Sequence, residues 1–322
     1  MNIHLATAYP TKWSYLPRFK ELAQMDRFGE HQLAEDPAEA DVILFVDARH
    51  EHNDWRFKAL RQHPLARKFP RKCFVYNETD QPWCCMPGLY VSMPKQWFDS
   101  RHMAAWSYTG LMNPYLENGS GEALDVEPDL LFSFAGRRCV AVRDEILKLE
   151  HPNALIKDTS NFNFFGSSSC TPKEIDKQRR DYATLIRRSR FVLCPRGSGP
   201  ASFRLFESLA AGRVPVILGD EWVPPVGPDW NSCSLRVAEV DVASLPERIE
   251  QADARWDEMS ANAAGVWREW FAADVQFHRM VEACRRLQVR GKWPAIWKSD
   301  RAMGRRLWLE AREMRSKLRS MR

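Results

Sequence analysis

Two arginines and a glutamate surround a small-residue loop in residues 189–230. The apolar run Phe191-Val192-Leu193 ends at Cys194-Pro195, and Arg196 opens a loop containing Gly197, Ser198, Gly199, Pro200 and Ala201. A helical pattern follows over about 202–211, stopped by Gly212, and a second buried strand is predicted over 214–218. A helix N-terminus carries unpaired N–H groups and partial positive charge, so anions are stabilised there. Ser202 or Ser198 would cap it. Glycines let the backbone approach a phosphate closely. Arg196 and Arg204 add charge-assisted donors for phosphate oxygens. Glu207 lies three residues after Arg204 on the same helical face, where a carboxylate can accept both hydroxyls of a ribose. The chemistry these types suit is the holding of a nucleoside diphosphate. An ordinary α/β loop with solvent-facing arginines and an Arg204–Glu207 salt bridge would carry the same residues.

The wording of the segment is more specific than its spacing. Ser189-Arg190-Phe191, Leu193-Cys194-Pro195-Arg196-Gly197, Ser202-Phe203-Arg204, Phe206-Glu207 and Val214-Pro215-Val216-Ile217-Leu218 resemble the nucleotide-binding half of the exostosin family of glycosyltransferases. Glu221-Trp222, Pro224 and Trp230 fit the same pattern, and Phe132 to Arg137 resembles the strand and glycine-arginine turn that opens the second domain. The resemblance implies a GT-B fold, with two Rossmann-like α/β domains facing each other across a cleft. It implies an inverting sugar transfer from a nucleotide sugar, a UDP-sugar, held by the second domain. The residues it points to for the donor are Arg137, Arg196, Gly197, Ser202, Arg204 and Glu207.

These residues need a scaffold, and the pattern supplies one. In the first half, residues 3–8, 42–46 and 73–76 are short apolar runs rich in β-branched residues. Helical patterns over 16–25 and 54–62 separate them. Such alternation predicts a parallel sheet with covering helices. Functional groups then gather beyond the strands' C-terminal ends. Those positions hold Thr7 and Tyr9, then Asp47, Arg49 and His50, then Asn77, Glu78 and Asp80. Residues 113–129, rich in Gly, Pro and acid, read as the linker. The expected organisation is an acceptor-side domain over 1–125, a nucleotide-sugar domain over 126–284 and a basic helical tail over 285–322.

An inverting transfer needs a general base on the acceptor side. Asp80 and Glu78 are the favoured pair, because Asn77 to Pro82 is a polar turn directly after a strand; Asp47 and His50 are further candidates. Each would serve equally well as a turn or capping residue. The leaving diphosphate needs positive charge. No Asp-x-Asp stands where it would bind metal; Glu239-Val240-Asp241 reads as a cap for a helix near Leu245. Metal-independent chemistry without a cofactor is expected, with Arg196, Arg204 and Arg137 neutralising charge. Arg143 is the weaker choice, since it falls on a helix face.

The chain of 322 residues suits two α/β domains, and 44% hydrophobic and 28% charged residues are ordinary for a globular protein. The eight cysteines have no zinc spacing. No secretory signal is visible in the first residues, so a cytoplasmic, bacterial protein is expected. Residues 285–322 hold 13 Lys or Arg against three acids, in a chain of net charge only +5. Met303, Leu307, Ala311, Met314, Leu318 and Met321 form one helical stripe there, which would lie on an anionic membrane, dock on the body or dimerise. Nucleic acid is not an expected partner, because no recognised motif accompanies the charge. The expected acceptor is a glycan or a lipid-linked lipopolysaccharide or capsule intermediate. Two other readings remain open: a GDP-sugar-dependent, fucosyltransferase-like GT-B enzyme, and a non-catalytic glycan-binding scaffold.

Overall fold

The structure, a computed structural model, describes residues 1–9, 15–47, 57–80, 84–109, 113–117, 127–161 and 171–290. Arg49, His50, Gln81, Pro82, most of the 113–129 linker and the stripe from Met303 to Met321 lie outside the described residues.

Two all-parallel sheets organise the chain. The first contains β1 (Asn2–Ala6), β2 (Gln32–Leu33), β3 (Val42–Phe45), β4 (Cys73–Asn77), β5 (Gly88–Tyr90) and β6 (Met103–Ala105), in the order β2-β1-β3-β4-β5-β6. Helices α1 (Leu16–Met25), α2 (Lys58–Gln62) and α3 (Pro64–Lys68) connect its strands. A short α4 (Pro114–Glu117) leads towards the second sheet. That sheet contains β7 (Leu130–Gly136), β8 (Ala154–Asp158), β9 (Ser189–Pro195), β10 (Val214–Leu218) and β11 (Leu235–Arg236), in the order β11-β10-β9-β7-β8. Its helices are α5 (Ala141–Ile146), α6 (Pro172–Arg188), α7 (Phe203–Ala210), α8 (Trp230–Cys233), α9 (Leu245–Asp253) and α10 (Trp256–Val266). This is the two-domain parallel architecture of the GT-B fold. Every residue of β4 and of β10 is buried. A parallel sheet covered on both faces demands such continuous apolar runs.

Local signals set the element ends. Thr171 and Glu174 form a capping box at the start of α6, with Pro172 as the first helical residue. Helix α7 stops at Gly212, whose φ of +64° only glycine adopts cheaply. Gly212 N–H bonds to Leu209 O and Arg213 N–H to Ser208 O, satisfying the last carbonyls.

The expected division at 284/285 does not describe the packing. One continuous helix, α11 (Ala273–Arg290), runs through that point and returns to the first sheet, lying against α1, β3, β5 and β6. Its buried residues Phe277, Met280, Val281, Cys284 and Leu287 fix that face. The lobes therefore share a core where the chain crosses. Trp106 and Tyr108, beyond β6, meet Phe206 of α7 and Phe271, which precedes α11. Phe206 and Phe271 centroids are 5.2 Å apart, Trp106 and Phe271 6.1 Å, and Tyr108 and Phe206 6.3 Å. Among the described residues, no helix is long and apolar enough to cross a membrane.

Phe206 is fully buried at this junction. We expect Phe206→Ala to lower the free energy of unfolding by about 3–5 kcal/mol, from lost burial plus the cavity left behind. Urea denaturation monitored by circular dichroism checks it.

Candidate active site

The strand order of the second sheet reverses between β7 and β9. The chain leaves β7 for β8 on one side, then returns to β9 on the other. Such a switch point opens a crevice beyond the strands' C-terminal ends. Here its walls are Gly136-Arg137 after β7 and the loop 196–202 after β9.

Two guanidiniums converge on it. Arg204, in the first turn of α7, is only 4% exposed. Its Nη2 donates to Ala135 O, and its Cζ lies 4.8 Å from the centre of the Phe134 ring. Its Nε and Nη1 are buried without a hydrogen-bond partner among the described residues. Arg143 of α5 reaches the same place. Its Nε donates to Arg196 O (2.9 Å), its Nη2 to Pro195 O (3.3 Å) and its Nη1 to Arg137 O (3.4 Å). All three acceptors are neutral carbonyls. Burial, and next the like charge of Arg204, push the Arg143 pKa down to about 10. Neither arginine forms an ion pair among the described residues. Ser202 occupies the N-cap position of α7, but its side chain makes no cap bond. The result is concentrated positive charge beside a helix N-terminus, and such a place suits a diphosphate.

The other residues expected at the donor are placed differently. Gly197 lies beside Arg143 Nη2, and Arg137 is exposed at the rim, its carbonyl accepting from Arg143. Arg196 is already neutralised: its Nε donates to both oxygens of Glu239 at 2.9 Å. Glu239 therefore does not cap the helix near Leu245. It opens a 3-10 turn, and α9 has Ser244 at its N-cap. Glu207 is fully buried and not presented to solvent. Its Oε1 accepts the Asn113 N–H (2.9 Å) and its Oε2 the Tyr182 hydroxyl (3.1 Å). Both of its carboxyl oxygens are thus engaged, one of them by the chain that crosses between lobes. Tyr182 and Asn113 carry no sequence signal for this, since they lie 25 and 94 residues from Glu207.

The expected base pair is split as well. Glu78 is 4% exposed and accepts the hydroxyls of Tyr76 and Tyr15 and the N–H of Thr109. A carboxylate enclosed by three donors is badly placed to take a proton from substrate. Asp80 is exposed. It stands directly across from the donor-side loop: a Cβ on the buried Gly199 would lie within 2.5 Å of Asp80 Oδ1, and closer still to Ser92 Oγ. Asp47 is turned inward, accepting the Thr7 hydroxyl (2.6 Å) and the N–H groups of Ala8 and Tyr9. Asn77 closes a turn onto Thr79. Among the described residues, no group of three His, Cys, Asp or Glu is arranged to hold a metal.

Comparison with known proteins extends the picture. The model of the Exostosin GT47 domain matches residues 15–252. The exostosin-1 homolog of Caenorhabditis elegans is 31% identical over 137 residues, covering 39% of this chain and 36% of that protein. Exostosin-1 of Drosophila melanogaster is 26% identical over 156 residues, covering 44% of this chain and 20% of that protein. The matched region thus spans about a third or less of these relatives' length. Among solved structures, a glycosyltransferase from Rickettsia africae aligns with 89% of this chain and 98% of its own, with 10% identity and a TM-score of 0.46.

Burial raises the Glu207 pKa from 4.5 to about 7, outweighing the Asn113 N–H, Arg204 and the Tyr182 hydroxyl, which all favour the charged form. Between these values the folded state keeps a proton that the unfolded state has released. Stability from this group is therefore full below pH 4.5 and lost as pH rises to about 7. We expect urea titrations to show the parent losing about 3 kcal/mol relative to Glu207→Gln across that window. A pH-independent difference between the two would show ordinary ionisation.

Proposed function

The chain belongs to the exostosin GT47 family, and from that premise we propose that it is an inverting glycosyltransferase that moves a sugar from a nucleotide sugar to a glycan. The observation that carries this reading is the pair Arg143 and Arg204 at the N-terminus of α7, neither in an ion pair among the described residues and Arg204 with two buried donors unpaired there. Held there, a diphosphate would meet both guanidiniums and the first-turn amides of α7. The same groups stabilise the charge that grows on it as it leaves. Gly197 lets the backbone come close, and Ser202, Arg196 and Arg137 line the approach.

On the opposite face, the acceptor hydroxyl attacks the anomeric carbon and must lose its proton. Asp80 supports the role of general base because it is exposed and faces the loop that carries the donor. Glu78, enclosed by its donors, is not assigned a chemical step. The donor we propose is a UDP-sugar of hexosyl or glycuronosyl type. The acceptor is a lipopolysaccharide or capsule intermediate, and the transfer is cytoplasmic and proceeds without a metal.

A thermal-shift screen with UDP, GDP, CDP and their sugars tests the donor. Ligand at ~100 times its dissociation constant adds about 2.7 kcal/mol of stability. We expect UDP to stabilise the parent and Arg143→Ala to lose that response. Stabilisation by GDP alone would favour the fucosyltransferase-like alternative, and no response to any nucleotide would favour the scaffold. Asp80→Asn should lower kcat by about 100-fold or more while keeping the UDP response. Turnover unchanged by EDTA is expected, and loss of activity in EDTA would sink the metal-free assignment.

A further inference from the structure

Arg143 and Arg204 come from opposite faces of the second sheet. Helix α5 buries Val142 and Ile146 against Phe132, Phe134 and Leu193. Helix α7 buries Leu205, Phe206 and Leu209 against Val192 and Cys194. Alternate residues of a strand point to opposite faces, so the two helices cover different sides of it. Side chains from the two can meet only beyond the strand ends. The two guanidiniums do so over one ring, that of Phe134. Its centre lies 4.8 Å from Arg204 Cζ and 6.0 Å from Arg143 Cζ. Tyr182 adds a ring at 5.9 Å, but to Arg204 alone. Among the described residues, no other ring meets both arginines.

The end of β7 makes this possible. Phe134 and Gly136 are two residues apart on that strand and face the same side. A Cβ at residue 136 would lie 2.5 Å from Phe134 Cζ and 3.1 Å from Arg204 Nη2. The ring and the guanidinium thus occupy the space that any side chain there would need. Arg204 rounds the sheet through that gap, and its Nη2 donates to Ala135 O. Phe134 is fully buried, so the water that would otherwise screen the two charges is excluded beneath them.

We propose that Phe134 is a positioning residue of the donor site, a shared aromatic platform that holds Arg143 and Arg204 together before the anion arrives. The physical reason is the repulsion between two like charges in a partly dry place. Left to themselves they would move apart, and a diphosphate would have to gather them again as it bound. The face of an aromatic ring is negative and attracts a guanidinium. One ring under both offsets the repulsion without neutralising either charge, as a carboxylate would. The donors then stand converged in the empty site, and the anion is spared the cost of ordering them.

The platform stands on geometry, while its bearing on the donor rests on the reading that Arg143 and Arg204 hold a diphosphate. The test replaces Phe134, in the full chain, by phenylalanines carrying one, two and three ring fluorines. These keep the shape of the ring and withdraw electrons from its face. The UDP dissociation constant is measured for each by calorimetry. We expect it to rise stepwise, reaching about tenfold with three fluorines. Gly136→Ala, whose Cβ displaces the ring, should weaken UDP by about tenfold or more. A dissociation constant that stays level across the fluorinated series overturns the proposal, even where thermal stability falls, because it marks a packing role only. A parent that binds no UDP defeats the UDP-donor reading instead. The platform is then decided by NMR of the Arg143 and Arg204 Nε–H groups, assigned with Arg143→Lys and Arg204→Lys. Both signals should lose their ring-current displacement in Phe134→Leu, and unchanged signals overturn the platform. Should Phe134→Leu fail to fold, Gly136→Ala must shift the same two signals, and their constancy is equally fatal.

Discussion

The two lobes come closest where the loop after β9 passes the first lobe, and a Cβ at residue 199 would press on the Ser92 and Asp80 side chains there. The loop after β9 lies against the first lobe at Ser92 and Asp80 because Gly199 offers only backbone there. Flanking contacts hold the same approach: the Ala201 N–H reaches Ser92 Oγ at 3.4 Å, and the Lys95 N–H reaches Glu221 O at 2.9 Å. Parallel sheets leave their strands' C-terminal ends along one edge, where polar groups can collect. The contact at Gly199 turns those two edges towards each other. One face of the loop then meets Asp80, and the other meets the end of β7, where Arg143 and Arg204 converge.

The part of this arrangement legible in the sequence is the part written locally. The strand, loop, helix and strand from Ser189 to Leu218 follow from an unbroken apolar run, a glycine that ends the helix and a second apolar run. Their observed bounds differ from the predicted ones by only a residue or two at each end. Strands β2, β5, β6 and β11 have two or three residues each, too few to show any period. They become strands only because a neighbouring strand supplies the partner. Charge and packing diverge at 284/285 for a related reason. Charge changes sharply at Arg285, but packing does not, and the apolar face of α11 continues through Leu287.

Within the site, residue type and spacing identified which groups carry charge but not what each one faces. Arg196 and Arg204 look alike in sequence. One meets Glu239, 43 residues later, and the other keeps two donors unpaired among the described residues. Glu78 and Asp80 belong to one polar turn, yet one points into three donors and the other stands exposed at the lobe boundary. Arg143 is the weaker choice from sequence because a helix position says nothing about its azimuth. Each of these outcomes is decided by a partner distant in sequence.

The distribution of charge across the boundary has its own logic. The acids carried by the site's own segments, Glu78 and Glu207, are occupied by backbone N–H groups and tyrosine hydroxyls. Glu207 also lies close enough to Arg204 for each to favour the other's charged form. Glu239 removes one arginine from the set, Arg196, and fixes the loop that bears it. What is left is a positive side on the second lobe and one exposed carboxylate facing it from the first. A displacement with an anionic leaving group on one side and a hydroxyl nucleophile on the other calls for that division. It holds only while the lobes keep facing each other, so the carboxylate on one lobe and the arginines on the other form one electrostatic arrangement.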